Sequence, residues 1–245
     1  MNKLKWILLL AVFAVLALSS CFIDIDDDDD FDCINAGGPF ITTELFLADF
    51  NGIELELPAR VVIQQGPLQQ VVVQGSEAII NELELDIRNG IWEIETNRCI
   101  NNLGDLTFII TVPAIRALHV VGSGDIVSEE FLEVGNITLS IIGSGNIDLG
   151  LNADVVDADI TGSGNIFLEG ATNDLDINIS GSGSIGAFDL QSDDVFVRIA
   201  GSGDVKVAAF SKLTVRISGS GDVRYIGDPA LDIEINGSGD VIDVG

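Results

Sequence analysis

From Leu118 onward the chain alternates apolar and polar residues as it approaches each of seven Gly-Ser-Gly tripeptides. Six of the seven copies carry apolar residues two, four and six positions before the first glycine. In the sixth copy Leu213, Val215 and Ile217 alternate with Thr214, Arg216 and Ser218; the first copy breaks the pattern with Arg116. A period of two predicts a strand with one buried face, and helical spacing does not fit it. After each tripeptide comes a small polar residue and then a β-branched one, as in Asn146-Ile147 and Asp222-Val223.

The first glycines are Gly122, Gly143, Gly162, Gly181, Gly201, Gly219 and Gly237, spaced 21, 19, 19, 20, 18 and 18 residues apart. A repeat near 19 residues predicts the coil of a β-solenoid, each coil reading strand, glycine corner, second strand and loop. Glycine suits a corner where every coil turns at the same place and lies close to its neighbour. Stacked in register, Ile126, Ile147, Ile166, Ile185, Val205, Val223 and Val241 form one interior ladder. The competing arrangement is two hairpin sheets with the glycines at tight turns; the regular interval and recurring residue types favour parallel coils.

The stretch from Phe40 to Pro113 is β-rich without the tripeptide. Val61-Val62-Ile63 and Val71-Val72-Val73 flank a Gly66-Pro67 turn signal, and Asn89-Gly90 stands between two alternating runs as a hairpin signal. A short helix is the reading for part of Ser76 to Leu85. This half either caps the first coil or begins the solenoid with irregular coils.

At the N-terminus, Lys3 and Lys5 precede an apolar run from Trp6 to Leu18 and then Leu18-Ser19-Ser20-Cys21. The pattern is that of a secretory signal, too short for a comfortable membrane span. Leu-Ser-Ser-Cys resembles the lipobox of bacterial lipoproteins, which implies lipidation of Cys21, removal of residues 1–20 and attachment to a membrane. Residues 21–39 then hold an acidic tether with Asp24, Asp26 to Asp30 and Asp32. That run resembles the acidic signals of surface-exported lipoproteins in Gram-negative bacteria, and so implies the outer face of the outer membrane, with the periplasmic side as the alternative. Residues 40–245 form the folded part, divided at 113/114 into the irregular half and the repeat coils.

The formal net charge is −28, and about −30 without residues 1–20. Such a surface repels nucleic acid. Cys33 and Cys99 are the remaining thiols, and an exported protein admits either a disulfide between them or two free cysteines.

Taken together, Val61-Val62-Ile63, the Asn89 to Ile94 hairpin, Thr111-Val112-Pro113 and the run Val120 to Ile126, followed by the later coils, resemble the head GIN domain family (DUF2807). The resemblance covers most of residues 40–245. It implies a right-handed β-helical body and an adhesive role, and it supplies no catalytic residue. A lipid anchor replaces the autotransporter barrel that the family's name suggests.

Candidate chemistry is sparse. The single histidine, His119, shares an outward column with Ser140, Asp159, Asn178, Arg198, Arg216 and Glu234, which argues for a solvated side chain. No phosphate-cradling or dinucleotide motif stands in the chain. Asp204, Asp222 and Asp240 are candidate calcium ligands if the coils stack in register, against the simpler reading of turn residues. Asp157, Asp159 and Asp176 with Arg198 and Arg216 are the candidates for a polysaccharide-active face, against a solvated sheet face with cross-strand charge pairs. The expectation is a non-catalytic surface lipoprotein that binds a glycan or protein ligand as an adhesin. The alternative is a self-associating envelope scaffold, a homo-oligomer built through the last coil.

Overall fold

The computed structural model describes residues 33–245, and the signal segment, Cys21 and the acidic tether as far as Asp32 lie outside the described residues. Strands before the glycine corners stack in parallel, each residue opposite its counterpart in the next coil. Gly143 lies opposite Gly122, Gly162 opposite Gly143, and Gly181 opposite Gly162. The ladder continues through Gly201 and Gly219 to Gly237. Parallel pairing throughout these coils makes the repeat a β-solenoid and rules out the hairpin arrangement.

Buried side chains fill the interior as the alternation predicts. Ile126, Ile147, Ile166, Ile185, Val205 and Val223 are all buried, while Val241 in the last coil is half-buried. On the other side Leu139, Ala158, Ile177, Val197 and Val215 form a facing column with no exposure. Each coil buries its apolar face mainly against the coils above and below it.

One expectation changes. No loop follows the second strand in the middle coils: Asn146–Gly162, Asn165–Gly181, Ser184–Gly201 and Asp204–Gly219 are continuous strands of 16 to 18 residues. Neighbouring coils of nearly equal length keep their backbone bonds around the remaining bend, so the ladder bends instead of ending. Gly170, at φ 119°, marks such a bend.

The opening half adds two irregular turns, out of sequence order. Gly52–Leu55 pairs in parallel with both Ala117–Gly122 and Ile91–Ile94. Arg60–Gln65 likewise pairs with both Asp125–Ser128 and Thr107–Val112. The turn made by residues 91–112 therefore lies outside the earlier turn of residues 52–65. Arg60–Gln65 and Gln70–Ser76 flank the Gly66-Pro67 turn without pairing with each other, because Thr107–Val112 lies between them. Gln70–Ser76 pairs antiparallel to it, and Phe40–Leu45 adds a further antiparallel strand.

Those antiparallel strands close one end of the stack. Ile87–Arg88 folds back on Ile91–Ile94 through Asn89 and Gly90, both at positive φ, as a two-residue hairpin requires. A short helix, Glu77–Ile80, buries Ile79 and Ile80. Trp92 meets Phe108 edge-on at 5.6 Å, and its indole N–H donates to the Glu84 carbonyl at 3.0 Å. A disulfide joins Cys33 to Cys99, with their Cα atoms 4.7 Å apart, beside the short parallel pair Ile34–Asn35 and Ile100–Asn102. At the opposite end Leu231, Ile233 and Ile235 occupy the interior column but remain exposed.

Candidate functional site

The corner glycines set the geometry from which every outward side chain projects. From Gly122 to Gly237 their φ values run from 107° to 153°, a region that L side chains rarely adopt. From Ser144 onward each following serine amide bonds to a glycine carbonyl one coil below, as Ser163 does to Gly143 at 2.8 Å. The last glycine of the tripeptide is equally constrained: a Cβ on Gly164 would lie 2.5 Å from the Gly145 carbonyl oxygen. The first polar residue after the corner is thereby held directly above its counterpart.

That residue builds a continuous side-chain ladder. Asn146 donates to Asp125 at 2.7 Å, Asn165 to Asn146 at 3.0 Å, and Ser184 to Asn165 at 2.7 Å. In the last coils the carboxylates take over a backbone role. Asp204 accepts the Asp222 amide and Asp222 accepts the Asp240 amide, both at 3.0 Å, and Asp222 also pairs with Arg224 at 3.2 Å. The carboxylates of Asp204 and Asp222 are thus engaged within the protein. No group of three or more His, Cys, Asp or Glu side chains able to hold a metal ion occurs among the described residues.

The outward columns before the corner carry both acidic and basic side chains. Asp157 stands opposite Asp176, and Asp159 opposite Asn178. Partial burial, followed by the fields of Asp157 and Asp159, raises the Asp176 pKa above the usual aspartate value; a bond from Asn178 and the charge of Arg198 oppose this. Arg198 lies over the Phe196 ring, 5.4 Å from its centre. Arg216 turns instead toward the last coil, 2.8 Å from Asp232 and 3.5 Å from Glu234. The structure therefore brings the three aspartates together and directs Arg216 away from them.

His119 is half-buried, with Nδ1 3.4 Å from a Glu54 carboxylate oxygen. Glu54 also stands opposite Glu93, and Glu56 lies near Glu95. Burial first, then the charges of Glu95, Glu54 and Glu93, raises the Glu56 pKa. This acidic cluster went unread in the sequence because it requires the turn at 52–65 to lie between those at 91–112 and 117–128. The alternation of Glu54 with Glu56 and of Glu93 with Glu95 was its only trace.

The fold and its surface define a class: a parallel β-solenoid with an apolar interior, one braced end and outward polar columns in fixed register. Within that class the chain belongs to the family described as "Putative auto-transporter adhesin, head GIN domain", which it matches over residues 49–229. It is similar in structure to a putative adhesin from Bacteroides fragilis, with a TM-score of 0.82 and 21% identity, covering 86% of this chain and 100% of that one. It is also similar to a putative lipid binding protein from Parabacteroides distasonis, with a TM-score of 0.73 and 24% identity over 86% of this chain and 99% of the other. A putative adhesin from Parabacteroides merdae gives 0.68 and 18% over 86% and 99%. At these identities the likeness is one of fold. No curated protein matches the chain in sequence.

Proposed function

We propose that the protein is a non-catalytic lipoprotein of a bacterial outer membrane, anchored through Cys21, whose solenoid presents an adhesive surface to the outside. The observation that carries this reading is the fixed register of outward side chains from Asn136–Gly143 to Ala230–Gly237, which repeats a polar surface coil after coil. A surface of that kind suits binding to an extended partner. Leu18-Ser19-Ser20-Cys21 and the aspartate run after it support the anchor and the outward placement, and the adhesin description of the family supports the role.

Protease shaving of intact cells tests placement, and attachment by a deletion strain tests adhesion. The expected results are digestion of the solenoid without permeabilisation and reduced attachment. Protection until the outer membrane is opened, or undiminished attachment, would defeat the reading. A second reading, a self-associating scaffold, is favoured by the exposure of Leu231, Ile233 and Ile235 on the last coil. Sedimentation over a wide concentration range separates the two, because a strictly monomeric protein is incompatible with the scaffold.

A further inference from the structure

A groove on the side of the solenoid away from the glycine corners ends at a pair of register shifts between two coils. The strand Ser184–Gly201 has 18 residues and the next, Asp204–Gly219, has 16. The register accordingly jumps from Ala187↔Val207 to Gln191↔Ala208, and again from Ser192↔Ala209 to Asp194↔Lys212. The first jump leaves residues 188–190 of the longer coil unpaired, and the second sets Phe210 and Ser211 of the shorter coil against Asp193 alone; beside this second bulge lies a groove of 540 Å³. That size lies within the range of small-molecule sites, roughly 300 to 1,000 Å³.

Glu133, Asn152, Asn173, Gln191, Asp193 and Phe210 line the groove, with Ala153 and Ala171 leaving space among them. Glu133, Asn152, Ala171 and Gln191 are register partners in successive coils and Phe210 belongs to the coil after them, so the lining crosses four strand spacings, about 19 Å. Asn152 is already bonded to Glu133 at 2.7 Å. The Asn173, Gln191 and Asp193 side chains make no hydrogen bond to any partner among the described residues. Phe210 stands beside Gly227 with its ring half exposed.

We infer that this groove binds a neutral oligosaccharide, with Phe210 as the stacking platform and Asn173, Gln191 and Asp193 as hydroxyl partners. A sugar ring has an apolar C–H face that stacks on an aromatic ring, and a rim of hydroxyls that both donate and accept. Side-chain amides offer both donor and acceptor, and a carboxylate accepts. The length of the groove suits a chain of sugars better than a single one. Glu133 and Asp193, on a protein of net charge −28, disfavour uronic or sulfated chains. This inference rests on the binding role proposed above and names its ligand class.

Calorimetry on the purified protein with maltohexaose, cellohexaose and the fully N-acetylated chitin hexasaccharide, and with trigalacturonate as the anionic counterpart, tests it. The expected result is binding of at least one neutral hexasaccharide, weakened tenfold or more by Phe210→Ala and by Gln191→Ala. Phe167→Ala, which removes a half-exposed ring outside the groove, leaves the affinity unchanged. Melting curves matched to the wild type establish that each variant is folded. Absence of binding to all three neutral sugars, wild-type affinity in Phe210→Ala, or tighter binding of trigalacturonate would overturn the inference. Wild-type attachment by cells carrying Phe210→Ala would remove the groove from adhesion while leaving the adhesive role intact. Hexasaccharide binding that depends on Phe210, in a protein whose deletion leaves attachment unchanged, would keep the groove and remove the adhesive role.

Discussion

A Cβ on Gly181 would fall onto the carbonyl oxygen of Gly162, the residue opposite it in the neighbouring coil. The φ of Gly181 is 134°, so a side chain there meets backbone strain as well as collision. Strain of this kind costs about 1 to 3 kcal/mol, and the collision adds to it. Gly181→Ala is therefore expected to destabilise the protein by about 3 kcal/mol or more in chemical denaturation. Ser182→Ala, at an exposed neighbour, is expected to stay within about 0.5 kcal/mol of wild type. A loss below about 1 kcal/mol in Gly181→Ala would show that the corner has room to relax.

Asp176 gives a pH-dependent prediction. Its pKa in the folded protein is raised, through burial first and then Asp157 and Asp159. The folded state therefore holds this proton more tightly than the unfolded chain does, and stability falls as pH rises from the ordinary value of 3.8 through the folded value. Asp176→Asn removes that loss and can still accept the bond from Asn178. At pH 7 it is expected to stabilise by about 0.5 kcal/mol, the scale of one relieved like-charge cross-strand contact. The advantage should shrink at low pH, as Asp176 becomes protonated in the folded and the unfolded state alike. Thermal melts of both proteins at pH 3 and pH 7 check this, and an equal difference at the two pH values would contradict it.

The parts of the fold that were legible share one property, a residue type returning at a fixed interval. Gly122 to Gly237 and the row from Ile126 to Val223 could be read because each coil imposes the same steric demand on the next. The insertion of the turn at 52–65 between those at 91–112 and 117–128 left no such mark. Strand pairing across it depends on tertiary contacts, such as Leu55 beside both Ile94 and Val120, and any buried aliphatic residue satisfies those. The groove beside Phe210 was hidden for a different reason. The shortening of the spacing from 20 to 18 residues was visible, but it carries no sign that the shorter coil itself bulges at Phe210 and Ser211.

The Cys33–Cys99 disulfide closes a separation of 66 residues, for which the chain-entropy model gives about 4 kcal/mol. The loop contains the capping strand Phe40–Leu45, the helix Glu77–Ile80 and the Trp92 cluster. Replacing both cysteines with alanine is expected to lower stability by up to that amount. Hydrogen exchange should rise first at Ile34, which donates to Cys99, and at Ala36, which donates to Asn102. Amides around Gly162 and Gly181 should keep their protection. Uniform loss along the whole chain would mean that the bridge holds more than the capped end.

Ile217 and Ile235 are register partners in the same interior column, one coil apart. Ile217 is 2% exposed because another coil covers it, whereas Ile235 is 37% exposed. Equal side chains at equivalent positions should therefore differ in energetic weight. Ile217→Ala is expected to cost about 2 to 5 kcal/mol, as for a buried isoleucine. Ile235→Ala removes contacts on one side only and should cost less than about 1.5 kcal/mol. Urea denaturation of the two variants at low protein concentration measures the difference. Repeating it at high concentration turns the comparison into a test of the scaffold reading, since a second copy on the last coil would bury Ile235 and raise its cost toward that of Ile217. A cost for Ile235→Ala that stays low at every concentration would leave the last coil unpartnered in solution and count against self-association through that end.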